Sequence, residues 1–551
     1  MPADRQWVPA GAGRAREVLQ YAARMADLLA AAGEPSSSGQ TGVGDHPSPP
    51  APRGPRRWPG RSLFDRATGI VLAVFAVSRL AALLAGVRFD TEWVSTSWQI
   101  ADTELLRNRL FETVWYGHSQ PPVLNTAIGL ALKYSPLSLT GTFFVIYTVL
   151  GVVLTIALVD LLRRLGTSRV TQVVVTSLVI VSPPVVLYGH WLSYEFPTAV
   201  GLVVIVDLLA AYVGRPKAST LAALMGVTTA CILTRSLLHP ALFLMVLAVA
   251  RLARRPDSTR RAVILAVVLP GLVLSVFVVR NLVLWGQPSL SSWSGMNLAH
   301  AVLPGTSIDH RSELVAQGRL SPLALRRTFQ DYDEYVSAVP PCVVEHPEVA
   351  EVARPKKGSG ATNFDYECFL PVFDRYQDDA LKSIWIDPAA YARQELFASY
   401  LFFGPSDRYD AVRGNQARLG PLNELYERLN LVVKVRPVVT SDPLFGKGLG
   451  DQGRPRFRLP VSLVAIATTF AVIGAAAVAA WRWARSGATT TRVVIAVIGG
   501  IVVFVMVFGN AFEVGENQRF RFLVEPLVWV VVGFLVDRAV RRRRAVRPSP
   551  G

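Results

Sequence analysis

Residues 140–164 read TGTFFVIYTVLGVVLTIALVDLLRR. No charge appears until Asp160, and the run closes on Arg163-Arg164. About 20 apolar residues in helix, at about 1.5 Å each, cross the hydrocarbon core of a bilayer. A transmembrane strand would alternate apolar and polar residues, and this run does not. Arginines at one end mark that end as cytoplasmic. The stretch reads as a membrane-spanning helix.

Similar runs lie near 67–87, 170–189, 195–213, 218–235, 237–253, 262–284, 459–481, 493–511 and 521–537. The expected fold is an all-α polytopic membrane protein of about ten transmembrane helices with outer-face interfacial helices and a small extracytoplasmic domain. Composition agrees: 51% of the 551 residues are hydrophobic and the mean hydropathy is +0.34, too apolar for a soluble chain of this length. The net charge of +17 could suggest nucleic acid. That partner is rejected, because the cations gather in short loops and at the two ends. Arg163, Arg164 and Arg169 share one loop, Arg215 and Lys217 another, Arg482, Arg485 and Arg492 a third, and Arg541 to Arg544 follow the last span. Loops 190–194 and 512–518 hold no Lys or Arg. The pattern places both termini in the cytoplasm and the protein in the plasma membrane, its basic face suited to anionic membrane lipids.

Residues 1–62 lack the apolar segment of a signal peptide and read as a disordered cytoplasmic tail, in which 13–32 fits one amphipathic helix. Residues 63–285 form a transmembrane module with a first outer loop at 88–139. Within it 97–111 and 121–134 are apolar but short, and read as interfacial helices. The polar segment 286–457 is too long for a connector and is expected to fold outside the membrane. Residues 458–540 supply the last spans, and 541–551 a basic cytoplasmic tail. An outer compartment permits a Cys342–Cys368 disulfide; two free thiols fit the sequence equally. Cys231 lies within a span and reads as packing. No Cys/His spacing suggests zinc, and there is no Walker loop or dinucleotide fingerprint.

The outer face concentrates ionisable residues: Asp90, Glu92, His118, Glu195, Arg235, His239, Arg280, Glu516 and Arg519. Each costs about 2.5–3.5 kcal/mol at membrane depth, so such groups are paired or functional. Asp90 in Phe89-Asp90-Thr91-Glu92-Trp93 is either a general base or a solvated residue after a helix end. Glu195 is either a second catalytic carboxylate or a charge favoured at a helix start. Arginine suits phosphate because its planar fork donates two hydrogen bonds, though snorkelling to headgroups is the plainer use. His118 either orients a carboxylate or caps a turn, and Pro121-Pro122 sets the direction of the next helix. A pairing of Arg235 with Glu195 is a further expectation.

Several of these patterns, in order, resemble the polytopic GT-C glycosyltransferases that use polyprenyl-phosphate sugars: protein O-mannosyltransferases, lipid A aminoarabinose transferases and arabinosyltransferases. Asp90 stands where the superfamily carries its first-loop acid, with Asp-Thr-Glu in place of the usual Asp-Glu, so the base falls to Asp90 or Glu92. His118-Ser119-Gln120-Pro121-Pro122 resembles its His-Pro-Pro turn. Tyr194-Glu195-Phe196-Pro197 resembles its acidic residue opening a span. Arg280-Asn281-Leu282 and Gly295-Met296-Asn297-Leu298 resemble its Arg-Asn and Gly-x-Asn-Leu motifs. Glu516-Asn517-Gln518-Arg519-Phe520, with Glu525-Pro526, resembles its Arg-Tyr and Pro, with Phe520 in place of Tyr. The resemblance spans about 65–540.

It implies an inverting membrane glycosyltransferase that moves a sugar from a polyprenyl-phosphate donor to an extracytoplasmic glycan, lipid or protein of the cell envelope. Asp90, Glu92 and Glu195 would be catalytic; Arg519, Arg521 and Arg280 would bind the donor phosphate; His118 and Asn297 would support them. The resemblance fixes no cofactor; some members use a divalent cation, and the sequence does not decide between the two. Two other classes compete. A lipid or lipid-linked-sugar flippase would carry charge through the depth of the bundle and often an internal repeat, and no repeat is visible. A non-catalytic scaffold would leave Asp90, Glu195 and Arg519 dispensable.

Overall fold

The computed structural model describes residues 65–253, 258–435 and 459–546. The readings for 1–62, for 436–457 of the polar segment and for the end of the basic tail lie outside them. Helix accounts for 73% of the structure, which establishes the mostly helical class.

Helix α1 (Arg66–Leu84) leads through α2 (Thr103–Asn108), α3 (Leu110–Tyr116) and α4 (Pro122–Tyr134) to α5 (Leu139–Arg164). There follow α6 (Arg169–Val181), α7 (Pro183–Tyr188), α8 (Glu195–Gly214), α9 (Ala218–Ile232), α10 (Ala241–Ala253) and α11 (Arg260–Trp285). The next stretch holds α12 (Ser294–Val302), α13 (Ile308–Ala316), α14 (Ala350–Ala353), α15 (Leu370–Ile386), α16 (Pro388–Phe402), α17 (Arg413–Arg418) and α18 (Gly420–Leu429). A ribbon of β1 (Val432–Val435) antiparallel to β2 (Leu459–Ser462), with Val432 opposite Ser462, precedes α19 (Leu463–Ser486), α20 (Thr490–Ala511) and α21 (Gln518–Val546).

Among the described residues six helices, α1, α5, α8, α11, α19 and α20, are long and apolar enough to cross a membrane. The other four expected spans fall on shorter or more charged helices. The run 170–189 is broken because Pro183 and Pro184 hold Ser182 extended and restart the chain as α7. Helices α9 and α10 have 15 and 13 residues. Helix α21 carries Arg521 and Glu525 in its first half. The surface of α11 explains why lipid is needed: Leu269, Leu272, Val276, Val279 and Val283 are all exposed, an apolar stripe that water would penalise. Where helices meet, small residues let them close up: a Cβ on Gly201 of α8 would collide with Cys231 Sγ of α9, so Cys231 is a packing residue, as expected.

The two ends of the bundle differ in chemistry. At one end Arg163 pairs with Asp65 (2.9 Å) and Asp160 (3.1 Å), Arg164 with Asp207 (2.9 Å), and Asp537 accepts from Ser168 N (3.1 Å). Asp160 and Asp207 are thus structural. The opposite end gathers the starts of α8 and α21 and the turn after α9. Residues 293–391 hold a second apolar core built on Trp293, Met296, Phe364, Phe369 and Tyr376. A Cys342–Cys368 disulfide, Cα atoms 5.6 Å apart, ties its extended segment to the start of α15.

Candidate functional site

Glu195 opens α8 with no exposed surface. A bare carboxylate there would be very costly, and two arginines from distant segments compensate it. Arg235, in the turn after α9, places Nη1 2.9 Å from Glu195 Oε1, and Arg519, in the first turn of α21, places Nη1 3.4 Å from the same oxygen. Glu195 Oε2 is buried with no hydrogen-bond partner among the described residues. Arg519 extends the cluster outward: Nη2 meets Glu516 Oε2 at 2.9 Å, and the Tyr409 hydroxyl donates to Glu516 Oε1 at 3.0 Å. Tyr194 lies under Arg235 (4.4 Å from the ring centroid) and Phe520 under both guanidinium groups (5.1 and 5.4 Å). Aromatic faces beneath fixed cations hold them without neutralising them.

Arg235, Arg519, Glu516 and Tyr409 line a cavity of about 1110 Å³. That exceeds the roughly 300–1,000 Å³ of sites for one small ligand. Its apolar lining includes Phe504 and Phe508 from the apolar helix α20 and Phe520 from α21, and residues between 289 and 330 contribute a further part. Glu513, half-buried in the loop between α20 and α21, is a second cavity carboxylate. Burial raises its carboxyl, Arg519 draws it back down and Glu516 pushes it up, leaving it at about 7. His300 bridges two parts of the lining: its ring nitrogens meet Thr328 Oγ1 (2.8 Å) and the Val514 carbonyl (3.2 Å). Burial lowers its affinity for a proton, so the imidazole is neutral near pH 7.

The structure sorts the residues anticipated from sequence into three groups. Arg519 and Asn297 line the cavity, and Glu195 buttresses it from behind; the expected Arg235–Glu195 pair is present. Asp90 and Glu92 do not line it. Asp90 bridges to Trp191 through its main chain, its N–H donating to His190 O at 2.8 Å, and its Oδ1 accepts from Glu92 N at 2.9 Å to start a short 3-10 turn. That turn carries Trp93 into the cavity wall against Trp191, 5.2 Å between ring centroids, while Glu92 is exposed.

Three further residues bond elsewhere. Arg280 spends its donors on the carbonyls of Val114 and Trp115, both at 2.9 Å, and on Asn281 Oδ1, fastening the end of α3. Arg521 bonds Gly404 O at 3.0 Å, Ser406 Oγ at 3.1 Å and Glu525 Oε2 at 3.2 Å within a separate buried network. His118 is fully buried beside Trp285, its Nδ1 2.7 Å from Ser292 Oγ. Burial lowers its imidazole to about 4, so it packs as a neutral ring. Its turn is held by Asp365, whose Oδ1 accepts from both His118 N and Ser119 N at 2.7 Å. Pro122 then starts α4, the directing role expected of the Pro-Pro step.

Glu513 and Tyr409 were not singled out in the sequence. The signal for Glu513 was an acid ending an apolar run in a loop without Lys or Arg; nothing local marks Tyr409. Among the described residues no group of three or more His, Cys, Asp or Glu side chains is placed to hold a metal ion. Comparison with protein-family models, with curated proteins and with solved structures finds no match.

Proposed function

We propose that the protein is a membrane glycosyltransferase of GT-C type that moves a sugar from a polyprenyl-phosphate donor to an acceptor in the cell envelope. The observation that carries this reading is the Arg235–Glu195–Arg519 cluster at a cavity whose apolar lining comes in part from α20, a helix long and apolar enough to cross a membrane. A lipid phosphate needs fixed cations at its head and an apolar path for its tail, and this cavity joins the two. Glu195 holds the guanidinium groups in place, so they need no reorganisation when phosphate charge develops.

In the reaction an acceptor hydroxyl oxygen attacks the anomeric carbon, and the bond from that carbon to the phosphate oxygen breaks with its electron pair leaving on the phosphate. The hydroxyl proton passes to Glu513. The products are the glycosylated acceptor, with inverted configuration, and polyprenyl phosphate. Glu513 suits the base because its carboxyl titrates near 7 and lines the cavity. Arg519 and Arg235 stabilise the leaving phosphate, and Asp90 shapes the wall through Trp93. No step is routed through a metal ion. The cavity end is assigned to the extracytoplasmic side of a plasma membrane, with ten spans and both termini cytoplasmic. The basic residues at the opposite end and the Cys342–Cys368 disulfide, which needs an oxidising compartment, support that orientation.

The test uses the full chain in nanodiscs with a panel of decaprenyl- and undecaprenyl-phosphate sugars. Wild type is expected to transfer or hydrolyse one donor, and Glu513→Gln to lose about 10²-fold or more. Loss confined to Asp90→Asn or Glu92→Gln moves the base to the first loop. No turnover by folded wild type across the panel counts against the enzyme reading and favours a flippase or scaffold.

A further inference from the structure

Around Phe329 the cavity lining is mostly aromatic and amide side chains, with one arginine, Arg327. Trp98 is 46% exposed in this lining, its indole stacked on Phe329 with ring planes 7° apart and centroids 5.7 Å apart. Phe329 has φ +56°, a conformation an aromatic side chain rarely adopts. It is held there by its neighbours: Trp293, His300 and Phe364 meet its ring edge-on at 5.6, 5.7 and 5.8 Å, and its N–H donates to Met296 Sδ at 3.3 Å. Backbone strain kept by a packed surround is common at ligand sites.

The same cavity is lined by three half-buried amides, Gln99, Gln120 and Asn297. Their side chains make no hydrogen bond to the described residues. The acidic residues of the cavity, Glu513 and Glu516, belong to the loop before α21.

We infer that Trp98, with Gln99, Gln120 and Asn297, forms a subsite for a neutral sugar ring of the acceptor, so that the acceptor is a glycan rather than a protein chain. The inference rests on the glycosyltransferase reading for the word acceptor, but the subsite is defined by its own residues. A sugar ring has an apolar C–H face and a rim of hydroxyls that both donate and accept. An exposed indole face takes the first, and amides, which carry both a donor and an acceptor, take the second without demanding charge. A cavity larger than one ligand needs has room for the donor's sugar phosphate and for this ring together. The stacked Phe329 fixes the indole plane before the ligand arrives, which lowers the ordering cost of binding.

The experiment is saturation-transfer NMR on the full chain in nanodiscs with methyl glycosides of mannose, galactose, glucose and arabinose, in parallel with binding of undecaprenyl phosphate. At least one glycoside is expected to receive saturation from wild type. Trp98→Ala should cut the signal about fivefold, Trp98→Phe should keep most of it, and neither should change undecaprenyl phosphate binding. Gln120→Ala gives a second reading at a position outside the aromatic stack, with the same expected loss. No glycoside signal from folded wild type, or full signal in both Trp98→Ala and Gln120→Ala, overturns the subsite. Loss of undecaprenyl phosphate binding in Arg519→Ala is a separate matter: if that binding is absent from wild type while glycosides bind, the donor reading fails and the sugar subsite stands.

Discussion

Arg235 and Arg519 share one carboxylate oxygen, Oε1 of Glu195, at 2.9 and 3.4 Å. One buried acid therefore positions two cations from distant segments of the chain, and its job is structural before it is chemical. Removing one partner of a buried ion pair costs about 3–5 kcal/mol, because the others stay charged and dry. Glu195→Ala is expected to lose stability in that range, read as a fall in unfolding temperature in detergent, while Glu195→Gln, which keeps an oxygen acceptor, loses less. A Glu195→Ala variant within about 1 kcal/mol of wild type would show the buttress to be unimportant.

The cavity carboxylate Glu513 gives the reaction a pH signature. Its carboxyl is raised to about 7 by burial and by Glu516, and the base must be deprotonated to act. Transfer should therefore rise with pH through about 7 and level off above it. Glu516→Gln removes a like charge and frees Arg519 to attract Glu513, both of which lower the Glu513 value. The rising limb should move to lower pH in that variant, and an unmoved limb would mean that another group sets it.

Asp365 is the least obvious structural residue near the site. Its Oδ1 accepts two main-chain N–H groups, of His118 and Ser119, both at 2.7 Å. Asp365→Ala would strand two buried donors at about 1–3 kcal/mol each. Thermal unfolding should register a loss of several kcal/mol, and Asp365→Asn, which can still accept, should recover part of it.

The Cys342–Cys368 link closes a separation of 26 residues. Loops of that size stabilise by about 2–4 kcal/mol when bridged. Cys342→Ser, or reduction of wild type, should lower the unfolding temperature, with no further effect of reductant on the variant. Two thiols that alkylate freely in the untreated protein would refute the bridge.

How much of this was readable in advance follows from the range of the forces involved. Apolar length fixes a spanning helix locally, so α1, α5, α8, α11, α19 and α20 fall where the hydropathy runs do. The break at Ser182 was also local, since Pro183-Pro184 encodes it, yet a continuous apolar run hid it. The site is a matter of long-range contact. Glu195, Arg235 and Arg519 each mark themselves as costly charges at a membrane face, and the Arg235–Glu195 pair could be anticipated, whereas the Arg519–Glu195 contact was not. Arg280 carries the same mark, but its donors go to Val114 and Trp115 carbonyls that no periodicity reveals. Asp90 stood out by its place in the sequence; in the fold its side chain serves the turn that leads to Trp93. Glu513 and Tyr409 become legible only when the loop before α21 and the segment after α16 meet Arg519.

The most direct test of the account is the affinity of undecaprenyl phosphate for the protein in nanodiscs, compared between wild type and Arg519→Ala. Charge-assisted hydrogen bonds are worth about 1.5–3 kcal/mol, so binding should weaken by about tenfold or more in the variant and fall with added salt. Equal affinity in the two proteins would contradict the claim that this cluster holds a lipid phosphate.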